Sequence, residues 1–303
     1  MTVDTRGGFA ALDPCVHCGF CLQACPTFLA TGDEADGPRG RIELMRALER
    51  GELADDPELG RHLDRCLGCR GCEPVCPSGV GYGAGLEAAR ERLTRQRGVP
   101  LLTRLALAIM TTRFLSSAFY AAARAFRATG VPRALAGHGR FRFSMGMLAA
   151  TRADGRSGGP AVVRRAVRPA PTARPSDRPT AVVLFRGCVM NGLFSHVHDA
   201  TVRTLTVNGY DVVAAPEQVC CGALHAHAGL QDSARSLARA NVAAFADGSA
   251  PIVVNSAGCG AQLKAYGHVL GDSAAADFVG RIRDVTELLA ERGPVAGAPL
   301  KQG

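Results

Sequence analysis

Twice the chain writes C-x2-C-x2-C-x3-C-P, as CVHCGFCLQACP from Cys15 to Pro26 and as CLGCRGCEPVCP from Cys66 to Pro77. Four thiols crowded into each run have no ordinary place in a core, so each run must close around something that bonds sulfur. The identical spacing, ended both times by proline, means that ligands organise this region. The start, MTVDTRGGFAALDP, lacks a basic stretch followed by an apolar stretch and a small-residue cleavage site, so it does not read as a secretory signal. The expected setting is a reducing cytoplasm, where twelve cysteines are poor disulfide candidates and good metal ligands.

A structural zinc usually takes two two-cysteine knuckles separated by a longer loop, because its tetrahedron needs ligands from well-separated backbone segments. Three knuckle cysteines followed by a fourth before proline is instead the spacing of bacterial two-cluster ferredoxins. In that arrangement the fourth cysteine of each run serves the other cluster, since the proline turns the chain away from its own loop. The spacing therefore predicts one [4Fe-4S] cluster on Cys15, Cys18, Cys21 and Cys76 and a second on Cys66, Cys69, Cys72 and Cys25. Zinc stands as the alternative at this stage.

The last four cysteines, Cys188, Cys220, Cys221 and Cys259, follow the apolar runs AVVLF, DVVAA and PIVVNS. These runs alternate with helical patterns, SHVHDATVRTLTVNG and LQDSARSLARANVAAFADG, the first with Ser195 as N-cap candidate and Gly209 as its end. The tail through RIRDVTELLAER reads as more helix. Alternation of this kind predicts right-handed crossovers and a parallel sheet covered by helices. All four cysteines then fall past the carboxyl ends of strands, the edge where open parallel sheets bind ligands, near the positive ends of helices that begin after Cys188 and Cys259. They are candidate ligands of a third cluster, with four buried structural thiols as the alternative reading.

With 303 residues, 47% of them hydrophobic, the chain has material for two modest cores, and the expected class is α plus α/β. Residues 1–95 are expected as a helical domain around the two cysteine runs, with Ile42, Met45 (or Leu44) and Leu48 forming the apolar stripe of a short helix. Residues 96–178 are a connector. Its first part, 101–128, reads as one or two helices with an apolar face and a basic face carrying Arg104, Arg113, Arg124 and Arg127, packed on the protein or a partner subunit, or laid on an anionic membrane. Its Arg/Pro/Gly-rich second part, continuing to 180, is a linker. Residues 179–303 form the α/β domain.

A net charge of +8 and a pI near 9.1 raise the question of nucleic acid. Lysines are few, aromatics are 5%, and much of the excess lies in the linker, so a solvated basic tether is expected and no nucleic-acid partner. No uncharged apolar run reaches the length that crosses a bilayer. His225 and His227, and His196 and His198, lie near the later cysteines, where histidine can ligate iron or carry protons; they read as surface or capping residues because four thiolates suffice. Arg39 and Arg41 in GPRGR read equally as a solvated turn or as charges that raise a cluster potential.

CVHCGFC, GPRGRI, HLDRCLGCRGCEPVCPSGV, VCCGAL and SAGCG together resemble the iron-sulfur subunit of bacterial glycolate oxidase, in which a dicluster ferredoxin is joined to a cysteine-rich CCG domain. The resemblance spans residues 10 to 290. It implies that a separate flavin subunit, carrying FAD, oxidises glycolate to glyoxylate and that this chain relays the electrons, non-catalytically, to a quinone or other acceptor; the expected location is the cytoplasm, with peripheral attachment to the inner face of the cell membrane as the alternative. Relatives of similar layout serve lactate utilisation, glycerol-3-phosphate oxidation and heterodisulfide reduction, and these are the alternative functions. No Rossmann glycine fingerprint, P-loop or nucleophile elbow in the chain offers to activate a substrate. Members of the family usually carry a second CCG unit, whereas no cysteine follows Cys259 and the CxxC that can end such a unit reads here Cys259-Gly260-Ala261-Gln262, so either a shortened version of the chain or a gene product that ends early is expected.

Overall fold

Prolines open three of the first helices: α1 (Pro26–Thr31), α2 (Pro38–Arg50) and α3 (Pro57–Asp64) each carry one in the first turn, where its missing N–H costs nothing. The computed structural model describes residues 7–53, 56–150, 180–214, 217–271 and 273–295. The polypeptide divides into two units, Met1–Arg104 with Gly222–Ser236, and Leu105–Cys221 with Leu237–Gly303.

In the first unit, α1 to α3 are followed by α4 (Tyr82–Arg97), and no strand occurs among its described residues. Its core joins Leu12, Ile42, Met45, Leu48, Leu59, Leu63, Tyr82, Leu86 and Leu93, so the stripe expected on α2 is the buried one. Gly85 on α4 permits a close approach to the core: a Cβ there would lie 2.4 Å from Leu12 Cδ2.

The connector supplies α5 (Leu101–Thr111), α6 (Arg113–Ala128), α7 (Val131–Ala134) and α8 (Arg140–Ala150). The pair α5–α6 is bent by 99° at Thr112, and among the described residues no single helix is long and apolar enough to cross a membrane. The Arg/Pro-rich linker predicted at 151–180 lies, up to residue 179, outside the described residues.

The second unit is built on β1 (Thr180–Leu184), β2 (Tyr210–Ala214), β3 (Ile252–Val254) and β4 (Ile282–Asp284), in the order β2-β1-β3-β4 with every neighbour parallel. Between the strands run α9 (Cys188–Leu193) and α10 (Ser195–Val207), then α12 (Gln231–Ala244) from Leu237 onward, then α13 (Ala257–Lys264), α14 (Tyr266–Leu270) and α15 (Ser273–Gly280), and α16 (Val285–Arg292) closes the fold; α11 (Ala223–His227) and the start of α12 belong to the first unit. Parallel strands are buried on both faces, which is why Ile252, Val253 and Val254 are all inaccessible.

Two expectations need correction. The tail read as helix begins instead with the short edge strand β4; three residues are too few for a period, and only the pairing of Ile282 with Ile252 identifies it. Asp284 then starts α16 through a capping box, its carboxylate accepting from Thr286 N at 2.8 Å while Glu287 accepts from Asp284 N at 2.9 Å. Ser195 is the first residue of α10 and caps nothing; Phe194 holds the N-cap position. Gly209 does follow that helix with φ +83°.

Candidate metal centres

The two cysteine loops share one backbone shape. Left-handed residues stand at the third and fifth positions of each: His17 (φ 54°) and Gly19 (85°) in the first, Gly68 (64°) and Arg70 (55°) in the second. Each loop thus places one glycine where the turn is free and forces one ordinary side chain into a region that costs about 1 kcal/mol or more. Residues outside the loops hold that shape. Arg39 donates to the His17 carbonyl at 3.1 Å, and the buried Arg90 donates to the carbonyls of Leu63 (2.9 Å) and Cys66 (2.7 Å). Glu73 accepts from Arg70 Nε at 2.9 Å and from Gly83 N at 2.8 Å, tying the second loop to the start of α4.

Beside these loops lie two cavities. One is lined by Cys15, Cys18, Cys21 and Cys76, and the other by Cys25, Cys66 and Cys69; Cys72, Pro38 and Tyr82 border both. The last cysteine of each run therefore stands in the cavity of the other run. Tyr82 Oη is 3.5 Å from Cys66 Sγ.

Burial pushes the thiols of Cys15, Cys21 and Cys72 upward, and neighbouring cysteines add to the effect; beside Cys72 the Glu73 carboxylate contributes as well. Crowded thiolates repel one another, so a quartet of them is held only by a cationic core, and the donor sets fit iron–sulfur ligation. Cys25 behaves differently. Burial opposes its thiolate, but hydrogen bonds from Thr27 Oγ1 and the backbone N–H groups of Phe28 and Thr27, with the Arg41 charge, more than offset this and lower its pKa.

Arg41 is fully buried, which replaces the solvated-turn reading of GPRGR. It donates to the His62 carbonyl at 2.8 Å and to Thr27 Oγ1 at 2.9 Å, and its Nη2 is 3.5 Å from Asp36 Oδ1. Asp36, itself buried, accepts from His62 Nδ1 at 2.8 Å and Arg65 Nη1 at 2.9 Å. Burial disfavours the Asp36 carboxylate, yet these two partners hold its pKa below 3.8. Sequence patterns gave no sign of this network, because its members are linked only through tertiary contact. Arg39 is half-buried and paired with Glu34.

In the second unit Cys188 opens α9 after β1, Cys220 and Cys221 follow β2, and Cys259 lies in α13 after β3. Their sulfurs meet: Cys188 and Cys220 are 3.6 Å apart, Cys221 and Cys259 3.4 Å. Gly187 has to be glycine here, since a Cβ would sit 2.9 Å from Cys259 Sγ. Asn241 and Tyr266 clamp the Cys-Cys backbone. Asn241 Nδ2 donates to the Cys220 carbonyl at 3.0 Å, its Oδ1 accepts from Val219 N at 2.9 Å, and Tyr266 Oη donates to the Cys221 carbonyl at 2.8 Å. Hydrogen bonding and burial raise the pKa values of Cys188 and Cys221, whereas donation from Cys221 lowers that of Cys259.

The histidines depart from the surface reading. His198 is buried on α10 with Nδ1 3.1 Å from Asn255 Nδ2, and burial followed by the Arg186 charge takes its pKa down to about 4. His225 is buried in α11, and the imidazole of His227 lies against Gly68, 2.7 Å from where a Cβ would stand. His196 is partly exposed.

Comparison with known proteins agrees with both cysteine regions. The 4Fe-4S dicluster domain family matches residues 11–80 and the cysteine-rich domain family CCG matches residues 182–264. The chain is 36% identical to the probable glycolate oxidase iron-sulfur subunit of Bacillus subtilis, covering 91% of this chain and 65% of that one. It is 33% identical to the glycolate oxidase iron-sulfur subunit of Escherichia coli, covering 92% and 64%. A shorter match, 30% identical over 30% of this chain and 38% of the other, is to lactate utilization protein A of an Exiguobacterium. The chain spans about two thirds of the length of the first two relatives. No solved structure matches.

Replacing Asp36 by Asn leaves Arg41 buried without its counter-charge, and the loss is expected to be about 3–5 kcal/mol in urea unfolding at neutral pH. Because the folded carboxylate has the lower pKa, its contribution is complete above 3.8 and disappears as pH falls through the folded value. The wild type–variant gap should therefore be full at pH 6–7, begin to shrink only below about pH 4 and close as pH falls through the lower folded value; a gap that ignores pH would contradict the assignment.

Proposed function

From a chain that carries a 4Fe-4S dicluster domain and a cysteine-rich CCG domain, and that is similar over 91–92% of its length to glycolate oxidase iron-sulfur subunits, we propose an electron-relaying subunit of a glycolate dehydrogenase complex. Its partner is a flavin subunit that oxidises glycolate to glyoxylate, and electrons pass on to a quinone. The observation that carries this reading is the pair of cavities that share Cys72, Tyr82 and Pro38. Cys15, Cys18, Cys21 and Cys76 hold one [4Fe-4S] cluster, and Cys66, Cys69, Cys72 and Cys25 the other. Cys188, Cys220, Cys221 and Cys259 hold a third. When bound, such clusters supply reversible one-electron storage.

The protein's own groups set the conditions. Walls common to both cavities keep the two centres adjacent, and the Tyr82 hydroxyl and Arg41 guanidinium offer positive ends toward Cys66 and Cys25, which favours the reduced, more negative state. No residue is assigned to substrate activation. Nothing specific favours lactate, glycerol-3-phosphate or heterodisulfide chemistry over this reading.

Attachment to an anionic membrane surface belongs to the same proposal. Its support is α6, whose polar face is turned inward: Tyr120 is buried and Arg124 donates to the Gly192 carbonyl at 2.7 Å. Its apolar face is in water, with Phe114 80%, Phe119 51% and Phe126 40% exposed. Burying one such side chain is worth roughly 1.5–3 kcal/mol, so a soluble fold that leaves three outside forgoes a large term unless another phase covers them. Residues 101–150 contain seven arginines and no Asp or Glu, which selects anionic headgroups as the cover.

Mixed anaerobically with glycolate, the chain alone should stay oxidised, whereas adding the flavoprotein should reduce its clusters, read as loss of visible absorbance. Turnover of glycolate without flavoprotein, or no reduction with it, would overturn the proposal. In flotation assays the chain should bind phosphatidylglycerol vesicles, and Phe114→Glu with Phe119→Glu should cut binding at least tenfold; equal binding to phosphatidylcholine would contradict the membrane reading.

A further inference from the structure

A cavity of about 480 Å³ opens beside Cys188 and Cys220, walled on one side by α6 and on the other by the loops that follow β1 and β2. Its volume is that of a small-molecule site. Three guanidinium groups line it, Arg113 and Arg124 from α6 and Arg186 from the β1 loop, and no carboxylate does. Arg124 spends one N–H on the Gly192 carbonyl, which orients it while leaving further donors. Neither Arg113 nor Arg186 has a carboxylate within ion-pair distance among the described residues.

The fourth group is Tyr120. The residue is 5% exposed and borders the cavity, its ring packs on Gly192, and its buried hydroxyl has no hydrogen-bond partner. A buried hydroxyl left unpaired costs about 1–3 kcal/mol, a cost that a ligand oxygen removes. Tyr120 follows Arg113 by seven positions and precedes Arg124 by four, so all three project from one face of α6. That face is polar and turned inward although the opposite face is apolar. A helix packed only for stability would be oriented the other way.

We propose that this cavity binds a small oxyanion, a carboxylate or phosphate group carried by a small molecule, with Arg113 and Arg186 as its charge partners and the Tyr120 hydroxyl as a neutral donor. The array excludes cations by charge. It does not suit a neutral ring either, because beyond the Tyr120 ring, which packs on Gly192, only Met110 and Val219 offer apolar side-chain surface of any size. An anion held there lies against Cys188 and Cys220, so its arrival would also be felt at whatever those sulfurs bind. Binding itself requires no electron transfer and no flavin partner, so the outcome below stands or falls apart from the glycolate reading.

Calorimetric titration of oxalate, and separately of inorganic phosphate, into the full-length iron-loaded chain at physiological ionic strength tests this. Saturable one-to-one binding is expected for at least one probe, and the tighter of the two identifies the source as carboxylate or phosphate. Arg186→Gln and Arg113→Gln should each weaken it at least tenfold with iron content unchanged, and Tyr120→Phe should weaken it less. Arg113 is exposed at the start of α6, so its replacement leaves a folded protein even if that of Arg186 does not. The proposal is overturned if neither probe saturates, if the arginine variants bind as the wild type does, if they only shift the EPR of the C-terminal centre, or if a tail-less soluble quinone takes the site with the same arginine dependence.

Discussion

The crossing of Cys25 and Cys76 governs the first unit. Each closes a run whose first three cysteines line one cavity, and each stands in the wall of the other. Neither loop can then be complete without its partner, so the segment between them, α2 and α3, has to return the chain to within a few ångströms of its start. The core of Ile42, Met45, Leu48, Leu59 and Leu63 does this, and the cysteines pack against it. Hydrophobic burial and ligand geometry therefore ask for the same fold.

Cys25 also receives the most electrostatic help. Arg41 could not lie buried beside a lone thiol, since an unpaired charge in the interior costs several kcal/mol. Asp36 supplies the counter-charge, and His62 and Arg65 fill the remaining acceptor positions of that carboxylate. The result is a rigid polar cluster that presents a positive edge to Cys25 and adds to the hydrogen bonds from the Thr27 hydroxyl and the Phe28 and Thr27 backbone N–H groups, which do most to shift this thiol downward.

Much of this was legible before any coordinates. The repeated spacing is a local signal, and it is the basis on which Cys15, Cys18 and Cys21 are proposed to share a cluster with Cys76, the four lining one cavity. The first three strands and the sheet edge carrying Cys188, Cys220, Cys221 and Cys259 followed from apolar runs alternating with helices. What escaped was long-range or short. The Asp36–Arg41–His62 cluster joins residues up to 26 apart with no pattern among them, and β4 is defined only by its neighbour. His198 and His225 are buried because of where α10 and α11 pack, not because of their local sequence. In α6 the amphipathic pattern was plain, but its direction was not: periodicity finds two faces and is silent on which one meets the protein.

That reversed helix links the two less familiar features of the second unit. Turning arginines and a tyrosine inward creates a polar cavity next to a cysteine cluster, and the same rotation leaves phenylalanines outward for a lipid surface. One orientation accounts for both.

The central claim is that the two runs exchange their last cysteines. Low-temperature EPR of the anaerobically reduced chain, compared between Cys25→Ser and Cys76→Ser, measures it most directly. Cys76→Ser should alter the centre that is also disturbed by Cys18→Ser and leave intact the one disturbed by Cys69→Ser, and Cys25→Ser should do the reverse. If each serine instead damages the centre of its own run, the crossing is wrong, and the account built on it fails.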